Sequence, residues 1–191
     1  MRRLCVFIIT KLFLYSYFMV IPNFSCTRLS PDEKMIKETI GKIINIAVFD
    51  TIQKDKVLMS FDEFRSRYKF IEIVYLEDAC KPCYPKFIEW QARMDTLCLN
   101  DNFTVLFIIQ GRSYERFLNN LQEFSSDSDL VHERFFIAMD SDYRFLENNS
   151  EIERWIIDKS LLIDEENKVR LIGPPFASSR MTELFYGICN Q

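Results

Sequence analysis

Residues 69 to 87 read KFIEIVYLEDACKPCYPKF, and the fold turns on how that stretch is parsed. KFIEIVYL is a compact run of β-branched and aromatic residues, which predicts a strand. Cys80-Lys81-Pro82-Cys83 follows it at once. After Cys83, YPKFIEWQARMDTLCL places Phe87, Trp90, Met94 and Leu97 at helical spacing on one face, which predicts a helix. The stretch is thus strand, C-x-x-C, helix. By itself a C-x-x-C is a redox pair, half of a metal site, or a structural disulfide.

Working outward, FTVLFIIQ (103–110) is a continuous apolar run, as expected of a strand buried on both faces, and Gly111 ends it. SYERFLNNLQEF (113–124) is an amphipathic helix with Ser113 as N-cap and Phe117, Leu121 and Phe124 facing inward. A Ser/Asp-rich loop (125–129) precedes RFFIAM, a third strand, and SDYRFLENN reads as a short helix or turn. In SLLIDEENKVRLIG two apolar runs flank Glu165-Glu166-Asn167, the pattern of a hairpin around a solvated turn. GPPFASS is a loop, and SRMTELFYGIC is a terminal helix. Upstream, IINIAV (43–48) and KVLMS (56–60) each read as a strand, with Asp55 near a turn, and FDEFRSRY has mixed helix and loop character. Strands separated by helices imply parallel pairing and the closing hairpin antiparallel pairing. The expected fold is α/β, with a central mixed sheet flanked by helices.

The N-terminus is of another kind. Arg2 and Arg3 precede a mostly apolar stretch, residues 4 to 22, interrupted by Lys11, and Ser25 precedes Cys26. A basic start, an apolar middle and a small residue before the break read as an export signal. NFSC resembles a bacterial lipobox in Ser25 and Cys26 and departs from it at Asn23. That resemblance implies removal of residues 1–25 and acylation of Cys26, followed by a polar tether to residue 33. An uncleaved anchor and plain secretion are the alternatives; about 20 apolar residues span a bilayer, but Lys11 counts against the anchor. The expected location is the cell envelope, membrane-anchored and facing the periplasm.

Composition narrows the function. The net charge is −4 and the sequence pI near 5.2, which disfavours nucleic-acid binding. There is no second C-x-x-C, and His132 is the only histidine, which argues against zinc and against a cysteine–histidine hydrolase. In an exported chain disulfides persist, leaving Cys80, Cys83, Cys98 and Cys189 as the thiols to place.

With C-x-x-C between the first buried strand and the first long helix, residues 69–191 resemble the thioredoxin-like superfamily. The likeness is to its membrane-anchored thiol–disulfide oxidoreductase and peroxiredoxin-like branch. FFIAMDSDYRFL resembles that branch's added strand and helix, and LLIDEENKVRLIG its hairpin. Residues 34–68 resemble the N-terminal extension of envelope lipoproteins with this fold. The resemblance implies Cys80 as attacking thiol and Cys83 as resolving thiol, with no cofactor. It also implies protein disulfides or dithiols as substrates and another protein as electron donor. Lys81 and Pro82 lie between the cysteines, and Glu77 and Asp78 precede them, expected in the loop. Lys81 should favour a thiolate, and the two acids should oppose it. A helix N-terminus adds ~0.3–1 kcal/mol when exposed and up to ~2 when partly buried. These terms are comparable, which favours a reducing couple over a strong oxidant.

The sequence departs from the family at three points. Pro85 lies two residues after Cys83 where the family has a proline five after; if Pro85 is that proline, Cys80 takes the second cysteine's place and Glu77 the first's. No proline stands just before the hairpin, where Asp158 and Lys159 lie. Val74 occupies the position of the family's buried acid, six residues before the first cysteine. Cys98 is expected to be buried, and a Cys98–Cys189 disulfide is conceivable because their helices should cover one sheet face. Two functions are in play: an envelope reductase or isomerase, or a non-catalytic binding or assembly lipoprotein whose cysteine pair is structural.

Overall fold

The computed structural model describes residues 29–54, 57–94, 97, 102–124 and 135–190. The signal and lipidation expectations at residues 1–28, including Cys26, and those at Cys98 and His132 lie outside the described residues. Two compact units are present, Met1–Asp32 and Glu33–Gln191, and the sheet belongs to the second.

Pro31 opens α1 (Pro31–Thr39). A proline fits the first helical position because its missing N–H has no partner there in any case. Then come β1 (Thr51–Lys54), β2 (Val57–Ser60), α2 (Phe61–Arg67), β3 (Phe70–Glu77), α3 (Cys83–Met94), β4 (Phe103–Gln110) and α4 (Tyr114–Gln122). The chain closes with β5 (Phe135–Asp140), α5 (Arg144–Asn148), α6 (Arg154–Ile157), β6 (Leu161–Ile163), β7 (Val169–Ile172), a 3₁₀ turn (Pro175–Ala177) and α7 (Ser179–Cys189). Seven strands form one sheet in the order β2-β1-β5-β4-β3-β6-β7. β3, β4 and β5 are parallel, and the β1–β2 and β6–β7 hairpins flank them antiparallel.

β3 and β4 sit in the middle and are buried along nearly their whole length, which is why they read as unbroken apolar runs. One face of the sheet is covered by α3, α4 and α7, through Phe87, Trp90, Phe117, Leu121 and Phe185. Phe87 packs edge-on against Phe117 and Phe135, with ring centres at 5.2 and 5.5 Å. Such rings each contribute ~1.5–3 kcal/mol on burial. The other face is covered by Phe64 of α2, Phe145 of α5, Ile156 and Ile157 of α6, and Ile44, Ile46 and Phe49.

Those last three residues correct the expectation of a strand at 43–48. Only Ile43 makes a ladder contact, an isolated bridge to Lys168. The segment is an irregular strap. At one end it bonds to the β6–β7 hairpin, with Gly41 N donating to Val169 O and Ile44 N to Asn167 O, both at 2.8 Å. At the other end it delivers the chain to β1, which pairs with β5. Ile44, Ile46 and Phe49 are buried by lying across the sheet rather than by joining it, while Ile43 is exposed. The strand at 51–54 is the one the periodicity missed.

Ser113 caps α4 as expected, its hydroxyl accepting from Arg116 N at 3.2 Å. Phe124 does not face inward. It is 41% exposed, and its ring stacks on Tyr84 with centres 4.9 Å apart. Glu165 and Glu166 are exposed in the hairpin turn, as read from sequence.

Candidate active site

The two cysteines lie where β3 gives way to α3, at the C-terminal edge of the parallel strands. Cys80 and Cys83 are joined in a disulfide, with Cα atoms 5.3 Å apart, inside the range such a bond requires. Both residues are half-buried, and Lys81 and Pro82 are exposed. Cys80 N donates to Glu77 O at 3.0 Å, and Cys83 N to Cys80 O at 2.9 Å. These bonds turn the chain from strand into helix. Cys83 is the first helical residue, so the helix begins at the end of the C-x-x-C, where the sequence places it, and Cys80 lies in the turn before it. Pro85 is third in the helix, still within the first turn, where no intrahelical donor is lost. The register that puts Glu77 in a cysteine's place is not realised, because Glu77 ends β3 and carries the turn that follows.

Asp78, expected in the loop, is 6% exposed and anchors this turn from behind. Its Oδ1 accepts from the Tyr84 hydroxyl at 2.8 Å and from Asn120 Nδ2 at 3.0 Å. Its Oδ2 faces Arg116 Nε at 3.3 Å. The Tyr84 hydroxyl also reaches the Asp78 carbonyl, and burial, with Asp78 reinforcing it, pushes the Tyr84 pKa up to about 12. Asp78 N in turn donates to Gln110 O at 2.8 Å. The carboxylate is committed to α3 and α4. Its charge is paired with that of Arg116.

Gly111 is required by this arrangement. A Cβ placed there would come within 2.8 Å of Asp78 Cβ, and Asp78 is held on every side. Gly111→Ala is therefore expected to lose ~1–3 kcal/mol of stability, as overpacked sites do, measured by urea denaturation. An unchanged midpoint would show that the turn yields.

Glu77 is likewise paired. Its Oε1 accepts from Arg154 NH2 at 2.8 Å. The charge expected to oppose a thiolate is thus paired with one from α6.

Glu72 was missed by sequence reading. It is fully buried in β3, and neither carboxylate oxygen has a hydrogen-bond partner among the described residues. Burial pushes its pKa up to about 8, with the nearby Ser160 hydroxyl and Lys86 ammonium pulling the other way. It lies two residues before Val74 and on the same strand face, so the strand does carry a buried acid, displaced from the expected position. The signal was present: a charged residue inside a run that otherwise reads as fully buried.

Cys189 is a free, buried thiol, and Cys98, its expected partner, lies outside the described residues. Burial, with the Glu72 charge adding to it, pushes its pKa up to about 12. As expected, α3 and α7 share one sheet face. Trp90 is core, and Trp155 packs at the rim of the opposite face. Among the described residues no cluster of His, Cys, Asp and Glu is placed to hold a metal. No helix among them is long and apolar enough to cross a membrane.

No protein-family profile and no curated protein sequence matches the chain. Solved structures do. A thioredoxin from Wuchereria bancrofti superposes with a TM-score of 0.51 at 14% identity, over 75% of this chain and 97% of that one. A thiol-disulfide oxidoreductase from Bacteroides fragilis NCTC 9343 superposes with a TM-score of 0.50 at 13% identity, over 72% and 98%. At such identities the likeness is one of fold. The protein has a thioredoxin-like fold: a mixed sheet between helical layers, with a cysteine pair at the strand-to-helix turn.

Proposed function

We propose that the protein is a thiol–disulfide oxidoreductase that reduces or isomerises disulfides of exported proteins. One observation carries the reading: a Cys80–Cys83 disulfide, half-exposed, at the strand-to-helix turn of a thioredoxin-like sheet. A structural bond needs no exposure and no position beside a helix N-terminus, where unpaired N–H groups favour a thiolate.

In the reducing direction the Cys80 thiolate attacks one sulfur of a substrate disulfide. A mixed disulfide forms, and the substrate's second sulfur leaves as a thiolate. Cys83 then attacks the Cys80 sulfur, the Cys80–Cys83 bond closes, and the substrate's first sulfur leaves. Two electrons have passed to the substrate, and a dithiol protein must return them. No cofactor enters this exchange. The export signal and Cys26 support an envelope location, with lipid as the tether.

Insulin reduction tests the reading. The wild type, reduced by dithiothreitol, is expected to precipitate insulin well above background, and Cys80→Ser to fall to background. Cys83→Ser is expected to accumulate a mixed disulfide through Cys80, visible by mass spectrometry. Equal, background rates for all three would leave the non-catalytic binding module as the better account. A mixed disulfide on Cys83 in Cys80→Ser, and none on Cys80 in Cys83→Ser, would reverse the two roles.

A further inference from the structure

The cysteine turn is braced on a second side, and Arg154 is the centre of that brace. Arg154 opens α6. It donates from NH2 to Glu77 Oε1 and from Nε to Asp158 Oδ1, each at 2.8 Å. Its guanidinium lies 4.4 Å from the centre of the Tyr75 ring. Lys86, one turn into α3, donates to Asp158 O at 2.8 Å. Residues 154–158 are thus tied to both arms of the C-x-x-C turn, to the strand end through Glu77 and to the helix start through Lys86. Glu77 is also the residue whose carbonyl holds the Cys80 amide.

β6 begins at Leu161, opposite Ile73, so Asp158, Lys159 and Ser160 run beside the end of β3. No peptide bond among the described residues is cis. Ser160 makes the bend instead, with a φ of 96°, and side-chain bridges hold the turn in place.

We propose that Arg154 is a positioning residue for thiol exchange: it fixes the 158–160 turn against the end of β3 and the start of α3 and cancels the Glu77 carboxylate that would otherwise oppose a thiolate on Cys80. This rests on the redox reading of the cysteine pair. The charged groups around the turn support it. Its own turn carries Glu77, Asp78 and Lys81. Lys86 comes from α3, and Arg116 of α4 is already on Asp78. Arg154, Asp158 and Lys159 come from α6 and the turn after it. Without Arg154, Glu77 and Asp158 each lose their only ion-pair partner among the described residues, and Asp158 keeps the attraction of the Lys86 charge. The Arg154 side chain is 39% exposed, and those of Glu77 and Asp158 40% and 49%. Exposed pairs add little to stability, so the bridge matters for where it puts charge.

The test uses the full chain, reduced. The pKa of the reactive thiol is read from the pH dependence of iodoacetamide alkylation, and the redox equilibrium is read against glutathione. Arg154→Gln is expected to raise that pKa by about 0.5–1 unit. Glu77→Gln is expected to lower it, and the double variant to return close to wild type. An Arg154→Gln pKa equal to the wild type's overturns the proposal, as does a Glu77→Gln value that rises or stays put. A general loss of packing would not give shifts of opposite sign that cancel in the double variant. Should Arg154→Gln fail to fold, Glu77→Gln alone still decides. Both measurements are made on the protein's own thiols. A chain that shows these shifts but leaves insulin oxidised would sink the proposed function and not this inference.

Discussion

Between pH 5 and pH 9 the wild-type protein is expected to lose ~4 kcal/mol of unfolding free energy that Glu72→Gln keeps. The sign follows from Glu72 being an acid whose pKa is raised from the ordinary 4.5 to about 8 in the fold. Between those values the folded state holds a proton that the unfolded chain has released. Stability tied to that proton is complete below about pH 4.5 and is lost as pH rises through about 8. Gln is nearly isosteric and has no charge to desolvate, so the slope should flatten. Urea denaturation at pH 5, 7 and 9 on both proteins makes the comparison. Identical slopes would mean that the interior solvates the carboxylate, and that Lys86 or trapped water pairs it when it ionises.

Asp78→Ala is expected to cost ~3 kcal/mol at neutral pH. The methyl group leaves the Tyr84 hydroxyl, Asn120 Nδ2 and Arg116 facing a gap where their shared acceptor stood. Tyr84 and Asn120 are not exposed, so water cannot freely replace that acceptor. Asp78→Asn keeps an oxygen for Tyr84 and Asn120 and should lose less. Urea midpoints for the three proteins decide the matter. An Ala variant within ~0.5 kcal/mol of wild type would show that the turn is held by its backbone bonds alone.

The central part of this fold was legible because its strands are buried on both faces. FIEIVYL and FTVLFIIQ need no neighbour to be recognised. The N-terminal third was not legible in the same way. IINIAV is apolar because it lies across a sheet, and TIQK is polar because it pairs near an edge, so composition pointed to the wrong strand. The cysteine pair was legible from its spacing. The pairing of the two acids before it was not, because Arg154 is 77 residues from Glu77 and Asn120 is 42 from Asp78. No local pattern carries such a contact. Glu72 falls between these cases: its burial follows from the strand, but its lack of a partner is known only once Ser160 and Lys86 are placed.

The strap at residues 41–49 has a consequence for biosynthesis. Its bonds run to residues 167 and 169 at one end, and the β1–β2 hairpin it leads into pairs with Ile137. A two-stranded hairpin alone is at best marginally stable in water. As the chain leaves the ribosome from its N-terminus, this segment emerges early and has nothing to settle on until β5 and the closing hairpin have followed. A segment made early is thus among the last able to find its place, and through that interval Ile44, Ile46, Phe49 and Ile52 face solvent or a chaperone.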